Sequence, residues 1–247
     1  LAPLLGMAAV ALASMILWRT LLDSDATFVG DLIVLIYLLV MPALAVILGS
    51  FASRNPLASL GGSREVKLMI AYELPLVLAI LVPVIQAGSI RLGDLLTGAA
   101  PVMSISGILA LLVGIACMQA KLTIVPFDMP EAEAELVAGY HTEYTGMRFA
   151  FFFLAEYANL FLVAMIAVLV FLGGWWGPIP GLDFLPPALN FIIKGVLVVF
   201  LNMWVRWTLP RVRVDQLMHL CWKVMIPITL VCIAGSGIWM MVSGQAG

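Results

Sequence analysis

The stretch "PFDMPEAEAELVAGYHTEYTGMRFAFFFLAEYANLF", residues 126–161, joins a cluster of carboxylates to a run of lipid-like side chains. Asp128, Glu131, Glu133, Glu135 and Glu143 come first. Glu156 follows, inside the apolar run that begins near Phe149. The chain has only fourteen acidic residues in 247, so such a cluster at one junction needs a physical reason.

The rest of the chain has little charge. It is 64% hydrophobic and 11% charged, with a mean hydropathy of +1.14. Soluble domains are nearer one quarter charged, and a chain this poor in charge has too few polar groups to face water. The composition implies a polytopic membrane protein. A net charge of −2 gives no electrostatic footprint for nucleic acid, which is excluded as a partner. Cys117, Cys221 and Cys232 are widely spaced and read as packing residues, not as ligands of a metal or iron–sulfur cluster.

Seven apolar segments are long enough to cross a hydrocarbon core of roughly 30 Å as helices. They are 1–18, 31–49, 69–88, 101–119, 149–172, 188–205 and 224–242. These runs do not alternate in polarity, which argues against a β-barrel. Backbone groups in lipid must be satisfied within the segment, and helices do that. The fold class is therefore an all-α transmembrane bundle, taken as one integral membrane domain over 1–247. The first segment lacks a positive n-region and reads as a span, not a signal peptide.

Positive charge orients the bundle. Loops 50–68, 119–148 and 206–223 hold Arg54, Arg64, Lys67, Lys121, Arg148, Arg206, Arg211, Arg213 and Lys223. The opposite loops hold only Arg19 and Arg91. This bias places the acidic and arginine-rich loops on the cytoplasmic side, or in the mitochondrial matrix, and the expectation is a prokaryotic cytoplasmic membrane. Leu1 is then inside and Gly247 outside. Trp18, Trp175, Trp176 and Trp239 fall near span ends, where aromatic belts form.

Charges within spans are costly and each needs an account. Glu73 reads either as an interfacial carboxylate or as a buried proton relay. Glu156 lies about 10 Å along its helix from Phe149, too deep for a simple interfacial role. Lys194, in the sixth span, reads as a structural partner for a buried carboxylate or as a relay group. In the acidic loop, Glu131 and Glu135 share a face if the segment is helical, and Glu133 points elsewhere. A solvated acidic loop is the bland account. Interleaved apolar residues and the deeper Glu156 favour a partly dry carboxylate cluster that exchanges protons. His141 is a candidate member of that path. Two isolated histidines, His141 and His219, do not make a metal site. No Walker loop, dinucleotide fingerprint or nucleophile constellation is present, so no cofactor is expected on this chain and no catalysis by it alone.

The opening stretch resembles the most distinctive segment of one family, the membrane subunit of respiratory complex I called the H-type subunit in bacteria and subunit 1 in mitochondria. "GGSREVKLMIAYELP" at 61–75 and "WVRWTLPRVRVDQLMHLCWKVMIP" at 204–227 are similar to two further family segments. The resemblance implies the heel of a membrane arm, where a peripheral redox arm docks. It implies a quinone substrate for the complex, with iron–sulfur clusters in partner subunits. The implied partners are peripheral-arm iron–sulfur and quinone-site subunits, antiporter-like and small membrane subunits, and lipid. Residues implied in the proton path are Glu73, Glu131, Glu133, Glu135, Glu143, Glu156 and Lys194. Those implied at the quinone chamber or docking face are Asp128, His141, Tyr144, Arg64, Arg206, Arg211 and Arg213.

Two departures qualify the resemblance. The family has eight spans where seven are visible, so an N-terminal span is expected to be missing. Glu65, Lys67 and Leu68 stand where quinone-reducing members carry small residues and a Gln. That pattern resembles the homologous anchor of ferredoxin-linked energy-converting [NiFe] hydrogenases. The expectation is a subunit of a complex I-like redox-driven proton or sodium pump, with the hydrogenase anchor as the alternative. An independent transporter would show inverted repeats and paired broken helices, and the sequence shows neither. A purely structural anchor leaves Glu73, Glu156 and Lys194 without a reason.

Overall fold

The computed structural model describes residues 1–98, 100–131, 133–175 and 186–243, with backbone alone for Ala26, Glu133, Ala134, Val242 and Ser243. Trp176 lies outside these residues. The described chain is helical throughout its spans: α1 (Ala2–Leu22), α2 (Asp31–Ala52), α3 (Pro56–Ala87), α4 (Leu92–Thr97), α5 (Ile105–Lys121), α6 (Glu133–Leu136), α7 (Met147–Phe171), α8 (Pro187–Thr208), α9 (Val214–His219) and α10 (Ile226–Ser243). A π-helical turn, Leu220–Met225, joins α9 to α10 into one rod. Among the described residues, six helices are long and apolar enough to cross a membrane, and α5 is a shorter apolar helix. The molecule is an integral membrane protein, and each of the seven expected apolar segments falls largely within one of these helices.

Helix α3 differs most from expectation. Its 32 residues make a rod of about 48 Å, well beyond the hydrocarbon thickness. The expected span at 69–88 is its apolar half, and the expected loop at 50–68 is largely its first half. The reason is local. Asn55 caps the helix by accepting a bond from the Leu57 amide at 3.0 Å, and Pro56 occupies the first turn, where a missing N–H costs nothing. Gly88 ends the helix at φ +65°. The loop expected at 89–100 likewise contains α4, whose Leu92, Leu95 and Leu96 are buried.

Helices α3 and α7 form the centre, and α1, α2, α5, α8 and α10 pack around them. The outer helices expose Leu12, Tyr37, Leu112, Phe200 and Trp239, as lipid contact requires. Small residues set the close approaches. A Cβ on Gly62 would lie 2.6 Å from Ser50 Cβ of α2, and one on Gly114 3.1 Å from the Phe171 ring.

The connections gather at two opposite ends. At one end the Val212 amide donates to the Pro126 carbonyl at 3.0 Å, and Asn55 Nδ2 donates to Glu143 at 2.8 Å. At the other end the Trp175 amide donates to Leu96, and Gln86 donates to Ser104 and Ser106.

Candidate functional site: a carboxylate cluster at one end of the bundle

The acidic segment sits directly on the first turns of α3. Gly61 makes this possible, because a Cβ there would lie 2.8 Å from the Pro130 carbonyl. Gly139 faces the same carbonyl at φ +53°, a conformation that glycine tolerates. Between them the chain forms the short α6 and a 3₁₀ turn, Gly139–Glu143. The segment is thus folded, not a solvated charge run.

Glu131, His141 and Glu156 meet there, with one ligand-type atom from each within 4.8 Å of the others. His141 Nε2 lies 2.7 Å from Glu131 Oε1, and the Tyr140 hydroxyl donates to the same oxygen at 2.9 Å. Burial would raise the Glu131 carboxyl. The His141 hydrogen bond and charge, the Tyr140 hydroxyl and the Arg206 charge outweigh that and hold it below the usual carboxylate range. Burial, with the Glu131 charge, pushes the Tyr140 phenol well up, so it stays a donor. The rings of Tyr140, Phe149 and Phe152 surround the imidazole. Counting histidines in the sequence missed this three-residue group, because Glu156 arrives from another helix. The 2.7 Å contact fits an imidazole N–H that donates to the Glu131 carboxylate, an arrangement that can hold a proton. Arg206 and Asp128 are the other charges acting on Glu156.

On the far side of α3, Lys121 Nζ donates to Glu73 at 3.1 Å. Lys121 is only 4% exposed and lies over the Tyr72 ring. It also lines a cavity of about 40 Å³ together with Glu65, Glu156, Tyr140 and Asn159. That volume holds a small number of waters. The cavity is thus lined by one member of the Glu73–Lys121 pair, Lys121, and by one member of the Glu131–His141–Glu156 group, Glu156.

The remaining candidates divide by location. Glu135 faces outward, 2.6 Å from Arg64, in a cleft of about 510 Å³ shared with Arg211 and Arg213. The Arg64 hydrogen bond and charge hold the Glu135 carboxyl low. Glu143 and Tyr144 line a separate cleft of about 520 Å³ with Leu4, Ala52, Arg148 and Phe151. The Tyr144 hydroxyl donates to the Gly49 carbonyl at 3.0 Å. The Glu133 side chain lies outside the described residues. Lys194 is fully buried at the opposite end of α7 from Glu156, donating to the carbonyls of Leu172 and Gly174 at 3.2 and 3.1 Å. There a cation meets the negative pole of the helix, at the other end of α7 from the Glu131–His141–Glu156 group.

Sequence reasoning missed Glu65, Tyr140 and Asn159 as members of the site, and treated Lys121 as a loop cation. A signal for Glu65 exists. Ala58, Gly61, Gly62, Glu65, Leu68 and Tyr72 form one buried stripe at helical spacing, legible once the helix is started at Asn55–Pro56.

Comparison with known proteins fits this arrangement. The sequence matches the family described as NADH dehydrogenase over residues 1–236. It is 46% identical over 194 residues to the H-type subunit of NADH-quinone oxidoreductase from Anoxybacillus flavithermus, covering 78% of this chain and 58% of that protein. It is 43% identical over 238 residues to the same subunit from a Geobacillus species, covering 94% and 70%. A counterpart from Syntrophobacter fumaroxidans is 44% identical over 222 residues, covering 88% and 66%. The chain thus spans little more than half the length of the Anoxybacillus relative. With its long apolar helices and a folded acidic segment between α5 and α7, the chain belongs to the NADH dehydrogenase family, among relatives named as the H-type subunit of NADH-quinone oxidoreductase.

Proposed function

We propose that the chain is the membrane subunit of a complex I-like, redox-driven proton pump, placed where the peripheral arm docks. It forms part of the quinone chamber and the start of a carboxylate path into the membrane. The chain itself carries no redox group in this reading. Electrons arrive through iron–sulfur clusters of partner subunits, and quinone is the substrate of the whole complex. The arginine-rich end, with Arg64, Arg206, Arg211 and Arg213, faces the cytoplasm and the docking partners. The open cleft beside Tyr144 has apolar and charged walls and a size suited to an amphipathic ring ligand.

One observation carries the reading: the water-sized cavity that unites Glu65, Lys121 and Glu156 below the Glu131–His141 contact. Reduction of a quinone draws protons and changes the charge above that contact. Coupled carboxyls then redistribute protons, because like charges in a partly dry site resist simultaneous ionisation. Glu156 is the group positioned to pass that change toward the membrane.

The test uses the full-length chain in its assembled complex in inverted membrane vesicles. Glu156→Gln is expected to keep assembly and to lower coupled turnover by about a hundredfold, the low end of what a positioned proton-transfer group contributes. Native turnover in assembled complex would remove the relay role. Inhibition by a quinone analogue supports the quinone oxidoreductase reading, whereas nickel and hydrogen evolution in the purified particle would replace it with the hydrogenase anchor.

A further inference from the structure

We propose that Glu65 is a proton-exchanging carboxyl that joins the Glu73–Lys121 pair to the Glu131–His141–Glu156 group through water held in the cavity between α3, α5 and α7. This deepens the proton-path reading above and rests on it.

The sequence already separates Glu65 from its neighbours. Arg64 turns outward to Glu135, and Lys67 is exposed. Glu65 alone of these charges falls on the buried stripe of α3, between Gly62 and Leu68. Its residue exposure is 1%, and its Oε2 has no hydrogen-bond partner among the described residues. A buried carboxyl oxygen left without a partner keeps its full desolvation cost. Water in the adjoining cavity satisfies it, and such water is also the medium through which a carboxyl exchanges protons over distances too long for a direct bond. The cavity wall supplies the rest. Lys121 comes from α5, Glu156 and Asn159 from α7, and Tyr140 from the acidic segment. Helices α1 and α2 contribute only Gly6, Pro42, Ala43 and Val46, so among the described residues no further charge lines the cavity from that side. Glu131 and Lys121 are the charges that act on Glu65 most directly, and Tyr72 shares its stripe.

A competing account makes Glu65 a second counter-ion for Lys121. Lys121 already has Glu73 at 3.1 Å. The counter-ion account predicts weaker assembly when Glu65 is replaced and normal turnover in whatever complex assembles. The relay account predicts the reverse. Removing a buried carboxyl with an unpartnered oxygen relieves a desolvation cost, so assembly should survive.

The experiment measures proton pumping and electron transfer per assembled complex in membrane vesicles for Glu65→Gln and Glu65→Met, beside Glu156→Gln. Both Glu65 variants are expected to slow coupled turnover by about a hundredfold, with a larger solvent isotope effect. Glu65→Asp, a shorter carboxyl, is expected to recover part of the rate. Native turnover in Glu65→Gln or Glu65→Met, with a slow Glu156→Gln, overturns the role of Glu65 while leaving the site reading intact. Native turnover in all three overturns both. Loss of assembly in Gln and Met together with native turnover in Asp also overturns it, because the carboxyl then serves the fold.

Discussion

Lys121 shows how a single charge is held in this bundle. Its stem is buried, its ammonium meets Glu73, and the Tyr72 ring lies 5.3 Å from its Nζ. Removing one partner of such a pair strands the other, at a cost of about 3 kcal/mol, toward the low end because Glu73 retains some water access. Lys121→Ala is therefore expected to lower thermal stability of the detergent-solubilised complex by roughly that amount. The double variant Lys121→Met with Glu73→Gln should recover most of it, since no charge is left unpaired. Glu131 makes a pH-dependent contribution. Its carboxyl is held below the ordinary value of about 4.3, so its folded-state contacts are fully present above that pH. They are lost as pH falls through the depressed folded value. Acid unfolding monitored by tryptophan fluorescence should lose that slope in Glu131→Gln. An unaltered acid profile would show that His141 and Tyr140 do not stabilise the ionised carboxylate.

At the scale of elements, α3 and the acidic segment fold against one another through two glycines and one strained residue. Gly61→Ala places a methyl 2.8 Å from the Pro130 carbonyl, and the backbone must yield. Overpacking of this kind costs about 1–3 kcal/mol. It also displaces the segment that carries Glu131 and His141, so turnover is expected to fall along with melting temperature. Val137 stands between α6 and the 3₁₀ turn at φ +65°, exposed and β-branched. That conformation disfavours valine and suits asparagine. Val137→Asn is expected to raise stability by about 1 kcal/mol with turnover unchanged, measured by thermal unfolding and vesicle assays. Much of this was unreadable beforehand. The apolar half of α3 stood out by hydropathy, but its polar half was hidden by "SRNPLASLGGSRE", whose Asn–Pro pair serves as a helix start and whose glycines serve as contact points. Read as turn residues, they concealed Glu65.

Over the whole molecule, the chain gathers its connections at two ends, one rich in arginine and carboxylate and one nearly free of cations. The proposed sidedness rests on that asymmetry. In a background where the buried native cysteines are retained, Arg211→Cys should react with an impermeant thiol reagent in inverted vesicles, and Asp25→Cys in intact cells. The opposite pattern would invert the topology and detach the site from cytoplasmic partners. The amino-acid sequence by itself determined the solvent of this protein, the position of its apolar helices and where along the chain charge collects. Each of these follows from the composition of local segments, through transfer free energy and backbone hydrogen bonding. Only the tertiary structure decided which charges line one cavity. Glu65, Lys121 and Glu156 come from three helices, and Lys194 lies at the far end of α7 from them. Whether side chains far apart in the chain reach one cavity depends on helix length, rotation and the close approaches that glycines permit, and local composition does not encode that.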